Sequence, residues 1–360
     1  EENRRRYELK WNVSWVPHVH RPLTAFRHAP AVGRPKIASL SSKPTLPLAA
    51  PLQVQPQAED EYAQKLQREN LKWGDHLKVE ASGQWNAWLD HPLITQHYQQ
   101  RAAMDGLRWE EWIRNRLGGP AAKSFDLGCG AADRSLFLWE TGVTRYLEGM
   151  DISEDRVAEG ERRREALGAP GGFRVGDANK LILPADSYDL IFSCQSFHHF
   201  VELEAVMQQV SQALTPRGFF VLEEFVGPTQ FQWTDLQLKL TQELLAALPE
   251  SLRMYRHGIL KAMEGRPTPQ EVMAASPFES IRSAEIWPLF QKYFDVVTVR
   301  KLGGTIQHLL YNGIVHNFDA QNPEHNAHIQ HIFEIEDRLV DSGELPSDFM
   351  LMIGRRKATT

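Results

Sequence analysis

The sequence predicts an α/β fold: a doubly wound, mostly parallel sheet of seven strands with helical insertions and an extended N-terminal arm. Three observations support this prediction. Short apolar segments typical of buried strands alternate with segments of helical period, as in right-handed βαβ units. A glycine turn follows the first strand, and polar residues follow each of the next four. In such a sheet, ligands bind at the carboxyl ends of the strands.

The first strand and its turn lie in residues 124–133, Ser-Phe-Asp-Leu-Gly-Cys-Gly-Ala-Ala-Asp. Gly128 and Gly130 let the backbone turn tightly and approach a ligand, while the free N–H groups of the following helix face it. The turn therefore predicts a site for a small anionic or polar ligand. It departs from the dinucleotide pattern G-x-G-x-x-G, because Asp133 stands where the third glycine would be.

The later strands end in residues that can bind a ligand. Asp151 ends the second strand about 20 residues after the glycine turn, where an acid can bind two ribose hydroxyls. Asp177 follows the third strand and Gln195 the fourth. The strands after the first are predicted at 146–150, 172–175, 188–193, 218–222, 296–300 and 349–353. The helices from the glycine turn onward are predicted at 135–141, 154–167, 203–214, 235–248, 284–293, 305–317 and 324–342.

Five motifs in this order resemble those of the class I S-adenosylmethionine-dependent methyltransferases, in their small-molecule branch. Phe-Asp-Leu-Gly-Cys-Gly at 125–130 resembles the first motif, with Ala132 in place of the frequent third glycine. Gly-Met-Asp-Ile-Ser at 149–153 resembles the ribose-binding motif, and Gly-Asp-Ala at 176–178 the adenine-contacting motif. The other two motifs are 183–190, before the fourth strand, and 214–218, before the fifth. The resemblance covers residues 90–225 and implies a Rossmann-like fold.

The resemblance also implies S-adenosylmethionine as the cofactor. The residues carried over as cofactor contacts are Asp126, Gly128, Gly130, Asp151, Ile152, Asp177, Ala178 and Gln195. Tyr98 and Arg101 lie three residues apart on one face of an earlier helix. In similar enzymes an aromatic or arginine here reaches the methionine carboxylate, an ion pair that suits arginine geometry. A surface arginine on an amphipathic helix is the alternative.

A base is needed only if the acceptor carries a proton at the reaction pH, as a sugar hydroxyl does. The candidates are His198, His199, Glu223 and Glu224, which the fold places at the carboxyl edge. We prefer His199 and Glu224, with His198 third, while a structural or cofactor-packing role for the histidines stays open. No metal site is expected, because no H-x-x-x-H pattern or cysteine cluster accompanies these residues.

The acceptor is predicted from residues beyond the fifth strand. Segments 223–233, 281–290 and 302–305 resemble a bacterial subgroup that often accompanies glycosyltransferases in polysaccharide or glycolipid pathways. This favours O-methylation of a sugar, a glycolipid precursor or a polar secondary metabolite. The alternatives are C- or N-methylation of a lipid-like or natural-product acceptor, and a cofactor-binding scaffold without turnover. An NAD oxidoreductase is disfavoured by Asp133 and by the Gly-Asp-Ala motif.

Candidate acceptor contacts follow from their position and chemistry. Phe231, Gln232 and Trp233 would offer an aromatic wall and an amide, suited to a sugar face or a sulfonium. His308 and Tyr311 lie in a helical stretch of the second insertion. Simple core packing is the alternative for both groups.

Composition limits the class of protein. The formal net charge of −6 combines +4 in residues 1–60 with −10 in residues 61–360, and the acidic body argues against a nucleic-acid partner. No apolar run approaches the roughly 20 residues of a membrane helix. Cys129 and Cys194 cannot make a disulfide framework, which suits a reducing cytoplasm. We therefore expect a soluble, cytoplasmic enzyme with a small-molecule acceptor.

The predicted organisation has three parts. Residues 1–60 form an extended, proline-rich arm, which could support a homo-oligomer or docking to a partner. Residues 61–120 form a tryptophan-rich helical cap, and residues 121–360 form the methyltransferase domain. Helical insertions are predicted at about 230–283 and 305–342.

Overall fold

A computed structural model of the chain describes residues 56–81 and 87–357. The arm predicted over 1–60 lies outside the described residues except for its end, where a helix begins at Pro56. The helix therefore begins four residues before the predicted boundary at residue 60. Proline is well accommodated in the first turn of a helix. The cap residue Trp85 also lies outside the described part.

The seven strands form one sheet in the order β3-β2-β1-β4-β5-β7-β6. Their bounds are β1 Ser124–Leu127, β2 Leu147–Asp151, β3 Gly171–Val175, β4 Tyr188–Cys194, β5 Leu214–Phe225, β6 Phe294–Gly303 and β7 Phe349–Arg356. β7 runs antiparallel to β5 and β6, and the pairs among β1 to β5 are parallel. The prediction of a doubly wound, mostly parallel sheet is confirmed.

Helices cover both faces of the sheet. Before the sheet come α1 Pro56–Ala81, α2 Pro92–Ala102 and α3 Trp109–Leu117. The crossovers are α4 Asp133–Glu140, α5 Glu154–Leu167 and α6 Leu203–Ala213. The remaining helices are α7 Asp235–Ala247, α8 Pro269–Ala275, α9 Ile286–Tyr293, α10 Gln307–Tyr311 and α11 Pro323–Ser342.

The core consists of two large clusters, one on each side of the central strands. Successive side chains of a strand point to opposite faces, and the clusters follow this alternation. Phe192 on β4 and Phe219 on β5 belong to one cluster, while their neighbours Ile191 and Phe220 belong to the other. Both faces are covered, so β1 and β4 are almost wholly buried, and their apolar runs are continuous rather than alternating.

The two insertions pack together against the first of these clusters. Gln237 on α7 donates from Nε2 to the Thr305 carbonyl at 2.6 Å and to Asp348 Oδ2 at 2.8 Å, which joins both insertions to the start of β7. The Glu336 carboxylate on α11 accepts from the backbone N–H of Ile306 at 2.6 Å. These buried polar bonds fix the insertions beside the carboxyl edge of the sheet.

Helix α1 lies across the carboxyl edge and packs on α5. A Cβ on Gly74 would come within 2.7 Å of Asp155 Oδ2, so the two helices approach closely. Arg156 Nε donates to the Trp73 carbonyl at 3.0 Å and strengthens this contact. Among the helices in the described part of the chain, none is both long and apolar enough to cross a membrane.

Candidate functional site

A cavity of about 270 Å³ lies at the carboxyl ends of β1 to β4, beneath α1. The residues after each of these strands line it on the sheet side, and Leu66, Glu69 and Trp73 of α1 line it from above. Phe278, from the segment after α8, completes the wall. The sheet topology therefore produces a partly open cavity at the edge of the sheet where the sequence predicts a site.

The glycine turn is held tightly against the loop after β4. Gly128 has φ +76°, and a Cβ there would lie 2.3 Å from Ser196 Oγ, so only glycine fits without rearrangement. Ser196 Oγ also donates to the Leu127 carbonyl at 2.8 Å. Ala132 and Gln195 both have positive φ, at +64° and +57°, conformations that L-residues seldom adopt. Strained backbone of this kind concentrates at functional sites.

Asp151 is fixed by backbone donors at the end of β2. Its Oδ2 accepts from the N–H of Gly130 at 2.9 Å, and its Oδ1 accepts from Ser153 at 2.8 Å. Burial raises the pKa of this carboxyl, although these hydrogen bonds work against the rise. The carboxylate lines the cavity, as its predicted contact with ribose requires.

Two further aspartates line the same cavity. Asp126 accepts from Ser135 Oγ at 2.7 Å, and burial raises its pKa to about 7. Asp177 caps the turn that follows it and accepts from Tyr62 Oη at 2.9 Å. The Asp177 carboxylate therefore binds helix α1 as well as facing the site.

The structure brings together most of the predicted cofactor contacts. The residues that line the cavity are Asp126, Gly128, Gly130, Asp151, Ile152, Asp177, Ala178 and Gln195. Tyr98 and Arg101 do not line it. Tyr98 is buried against Trp88 and Phe349, with ring centroids 5.9 and 6.5 Å away.

Arg101 points towards α11. It pairs with Asp337 at 3.0 Å and with Asp341 at 2.7 Å. The alternative of a surface arginine describes this placement, and the predicted contact with the methionine carboxylate is corrected.

Arg134 lines the cavity, as Arg156 also does, and sequence reasoning missed both arginines. Its Nη1 lies 2.7 Å from Glu110 Oε1, and its Nη2 lies 3.3 Å from Glu223 Oε2. Trp109 Nε1 donates to the same Glu223 oxygen at 3.0 Å. Arg134 follows Asp133 in the first turn of α4, and this position next to the glycine turn could have identified it from the sequence.

Glu224 does not reach the cavity, which corrects its predicted role as a base. The fully buried carboxylate accepts from the N–H groups of Ser196, Phe197 and Phe225 at 2.9, 2.6 and 2.7 Å. It also contacts His198 Nδ1 at 2.5 Å. Glu224 thus orients the loop after β4 and one of its histidines.

His199 lines the cavity, whereas His198 lies behind it. Neither ring nitrogen of His199 has a hydrogen-bond partner among the described residues, and burial lowers its pKa to about 4. Burial alone would lower the pKa of His198, but Glu224 and Glu279 outweigh it and raise the pKa to about 10. The two rings are 4.3 Å apart, so they share one environment.

Glu279 joins the two histidines, and sequence reasoning did not identify it. Its Oε1 lies 3.6 Å from His198 Nε2 and 3.9 Å from His199 Nε2, and its Oε2 lies 3.2 Å from Lys72 Nζ. Burial alone would raise the pKa of this carboxyl, but Lys72 and the two histidines hold it well below its usual range. We call His198, His199 and Glu279 the histidine cluster.

The predicted acceptor contacts lie in the core instead of the cavity. Phe231 and Trp233 stack with centroids 5.0 Å apart, and the His308 ring lies 5.9 Å from Trp233. Gln232 Nε2 donates to the Pro267 carbonyl at 2.8 Å, and Tyr311 is fully buried against Phe318. These groups join β5 to the insertions, as the core-packing alternative describes.

Comparison with known proteins supports a methyltransferase. The family model described as "Methyltransferase domain" matches residues 120–300. The chain is 24% identical over 269 residues to the sterol 24-C-methyltransferase ERG6B of Gibberella zeae, covering 69% of each chain. It is 34% identical over 110 residues to the malonyl-[acyl-carrier protein] O-methyltransferase of Methylococcus capsulatus, covering 30% of this chain and 39% of the relative.

Two solved structures are similar to this chain at low identity and with TM-scores below 0.5. The geranyl diphosphate C-methyltransferase of Streptomyces coelicolor has a TM-score of 0.43 and 16% identity, covering 69% of this chain and 78% of that one. An S-adenosylmethionine-dependent methyltransferase of Mesorhizobium loti has a TM-score of 0.40 and 20% identity, covering 71% of this chain and 100% of that one.

The cavity residues fit S-adenosylmethionine. A Cβ on Gly130 would meet only Arg156 Nη1, at 3.6 Å, so the absent side chain leaves space for a ligand. Asp151 supplies an acceptor for ribose hydroxyls, and Ile152 and Ala178 supply apolar contacts for a planar base. The family match covers half of the chain. The chain belongs to the class I S-adenosylmethionine-dependent methyltransferases, and its cofactor is S-adenosylmethionine.

Proposed function

We propose that this protein methylates a hydroxyl group of a small polar acceptor, in the class of sugars, glycolipid precursors and polar secondary metabolites. The observation that carries the proposal is His199, a cavity-lining histidine whose ring nitrogens have no partner within the described residues. S-adenosylmethionine supplies an electrophilic methyl group. A hydroxyl acceptor must lose its proton during the transfer, and a neutral imidazole can take it.

The cofactor would be held mainly by the residues after β1 to β3. Asp151 would bind the ribose hydroxyls, and Ala178 would contact the adenine. Arg134 offers a positive charge for the methionine carboxylate, because its guanidinium lies in the cavity wall. Two carboxylates already face this guanidinium, which limits but does not remove its capacity for another acceptor.

His199 would act as the base in its neutral form, after a rotation of the ring that turns one of its buried nitrogens towards the cavity. With a pKa of about 4, its ring is the neutral imidazole at pH 7, with one N–H and one nitrogen that can accept a proton. Glu279 Oε1 lies 3.9 Å from His199 Nε2, so its negative charge would stabilise the imidazolium that forms. A correctly placed base contributes about 10² to 10⁴ in rate.

The remaining wall would exclude water and orient the acceptor. Trp73, Phe200 and Phe278 line the cavity with apolar surface beside His199. Transfer requires the acceptor atom in line with the methyl group and the sulfur, so positioning and desolvation supply most of the effect.

The same apolar wall favours a second candidate, C-methylation of a lipid-like acceptor. The relative from Gibberella zeae is named a sterol 24-C-methyltransferase. Methyl addition to an alkene produces a carbocation, which an aromatic face such as Trp73 would stabilise. This reaction needs no base in the transfer step.

The two candidates can be separated with methyl-labelled S-adenosylmethionine and matched acceptor panels. One panel contains nucleotide sugars and hydroxylated glycolipid precursors, and the other contains sterols and prenyl diphosphates. Our proposal predicts an O-methyl product in the first panel. Product formed only in the second, with the label on carbon, would support C-methylation instead.

The His199→Asn variant tests the base directly. We expect turnover with a hydroxyl acceptor to fall about 10² to 10⁴-fold, while cofactor affinity in calorimetry stays within about twofold. His97→Asn is the matched control, because His97 pairs with Asp337 on the α2 side, away from the cavity. Unchanged turnover in His199→Asn would remove the base assignment.

A further inference from the structure

We propose that the histidine cluster is a binding site for a first-row divalent cation such as Zn²⁺ or Mn²⁺. His198, His199 and Glu279 each offer one ligand atom, and these three atoms lie within 4.8 Å of one another. Two imidazoles and one carboxylate form a donor set that such cations favour, whereas Mg²⁺ and Ca²⁺ prefer oxygen ligands alone. The proposal does not depend on the identity of the acceptor, but His199 Nε2 cannot bind an ion and accept a proton at the same time.

The spacing suits an ion at the centre of the cluster. Ligand atoms about 2.1 Å from a tetrahedral ion lie about 3.4 Å from one another. Glu279 Oε1 lies 3.6 Å from His198 Nε2 and 3.9 Å from His199 Nε2. The Glu279 pairs need a contraction of a few tenths of an ångström, and the two histidine nitrogens, which lie within 4.8 Å of each other, need one of up to about 1.4 Å.

The surroundings of His198 are those of a metal-binding histidine. Its Nδ1 contacts Glu224 Oε1 at 2.5 Å, and Glu224 is itself fixed by backbone N–H groups. A carboxylate on the far nitrogen sets the tautomer and ring orientation, and it directs the lone pair of the near nitrogen towards the metal. Nε2 of His198 therefore faces Glu279 in the orientation that a ligand needs.

His199 supplies a second, independent indication of a ligand. Both of its ring nitrogens are inaccessible to solvent and lack a hydrogen-bond partner in the part of the chain that is described. A buried polar atom without a partner is costly, and an ion beside Nε2 would satisfy it. His199 lines the cavity whereas His198 and Glu279 do not, so such an ion would lie behind the cavity wall.

Charge balance sets the limits on affinity. Lys72 Nζ lies 3.2 Å from Glu279 Oε2 and would repel a cation on the neighbouring oxygen. A bound ion would also replace the proton on His198 Nε2, which passes to solvent. Lys72→Met should therefore tighten cation binding several-fold, the opposite sign to loss of a ligand.

Activity alone cannot test this site, because His199→Asn would lower turnover whether His199 is a base or a ligand. The direct measurement is calorimetric titration of the full chain with ZnCl₂, after treatment with a chelator, supported by Mn²⁺ electron paramagnetic resonance. We expect one ion per chain. MgCl₂ in the same titration should give no binding.

Substitutions then locate the ion. His199→Asn and Glu279→Gln should each weaken Zn²⁺ binding by about 100-fold or more, and Glu224→Gln by about 10- to 100-fold. His257→Gln is the control, because this exposed surface histidine should leave binding unchanged. Equal binding by the wild type, His199→Asn and Glu279→Gln would show an adventitious ion only and overturn the proposal.

Two measurements on the wild-type chain test the site even if the variants fail to fold. X-ray absorption of the Zn²⁺-loaded wild type should show two imidazole ligands and one carboxylate. The wild-type melting temperature should also rise with Zn²⁺ but not with Mg²⁺. No Zn²⁺ binding to the wild type, or a spectrum without two imidazoles, would overturn the proposal.

Discussion

The two halves of the carboxyl edge hold Asp151 and Glu279 by different means. In the cofactor half, after β1 to β3, Asp151 is held by the N–H groups of Gly130 and Ser153, which lie in adjacent loops. In the histidine half, after β4 and β5, Glu279 is held by Lys72 and by the two histidines. The backbone donors are positioned by the local strand and loop conformation. The side-chain partners of Glu279 come from distant segments that must first pack together. The histidine half should therefore be the more sensitive to substitution.

The largest expected effect is on the histidine half. Glu224→Gln removes a buried charge that faces the imidazolium of His198, and breaking such a pair costs about 3–5 kcal/mol. Glu204→Gln is the control, because its partly exposed pair with Arg282 should contribute only about 0.2–1 kcal/mol. The free energy of unfolding in urea measures both. Equal losses in the two variants would contradict the comparison.

The cofactor half should lose ligand affinity without losing stability. Asp151→Ala removes an acceptor for ribose, and we expect cofactor binding to weaken by about 1–3 kcal/mol in calorimetry. The freed N–H groups of Gly130 and Ser153 can bind water, because the cavity is adjacent. Asp186→Ala, a substitution on the surface, should leave affinity unchanged. Wild-type affinity in Asp151→Ala would remove the ribose assignment.

The cofactor half should also respond to pH through Asp126. Its pKa is about 7 in the folded protein, above the value of 3.8 for an unperturbed aspartate. The folded state therefore binds more protons between these values, and this contribution to stability is lost as the pH rises towards 7. Between pH 5 and pH 7 the loss should be about 2 kcal/mol.

Asp126→Asn serves as the reference for this measurement, because its amide cannot ionise. The difference in unfolding free energy between the wild type and the variant should shift with pH in urea titrations at pH 5 and pH 7. A constant difference would show that Asp126 has an ordinary pKa.

The smallest effect is expected outside both halves. Arg101→Ala removes the pairs with Asp337 and Asp341, and such partly exposed pairs contribute about 0.2–1 kcal/mol. Cofactor affinity should not change. A loss of cofactor affinity in calorimetry would indicate that Arg101 binds the methionine carboxylate, and it would contradict the assignment of that contact to Arg134.

The difference between the halves also explains what the sequence could predict. The cofactor half is encoded locally, since the strand, the glycine turn and Asp151 lie within residues 124–153. The strands and crossover helices follow the same logic, because apolar runs and helical periods are visible within each segment. These elements were predicted within a few residues, β5 excepted, which begins at Leu214.

The histidine half depends on contacts between distant segments. Glu279 lies 80 residues after His199, in a segment without regular period, and Lys72 comes from the helix before the sheet. No spacing rule joins them. For the same reason, the aromatic residues Phe231 and Trp233 were assigned to the site, since sequence alone does not distinguish a cavity wall from the core.

The hydrogen bond from Tyr62 to Asp177 ties the position of helix α1 to the ligand site. A cofactor that competes for this carboxylate destabilises the packing of α1. A cofactor that adds contacts to Leu66 and Trp73 stabilises that packing. Thermodynamic linkage makes either effect reciprocal. If a molecule binds the outer face of α1 and shifts the helix, the factor by which it changes cofactor affinity equals the factor by which the cofactor changes its affinity. Amide hydrogen exchange along α1 should then depend on cofactor occupancy.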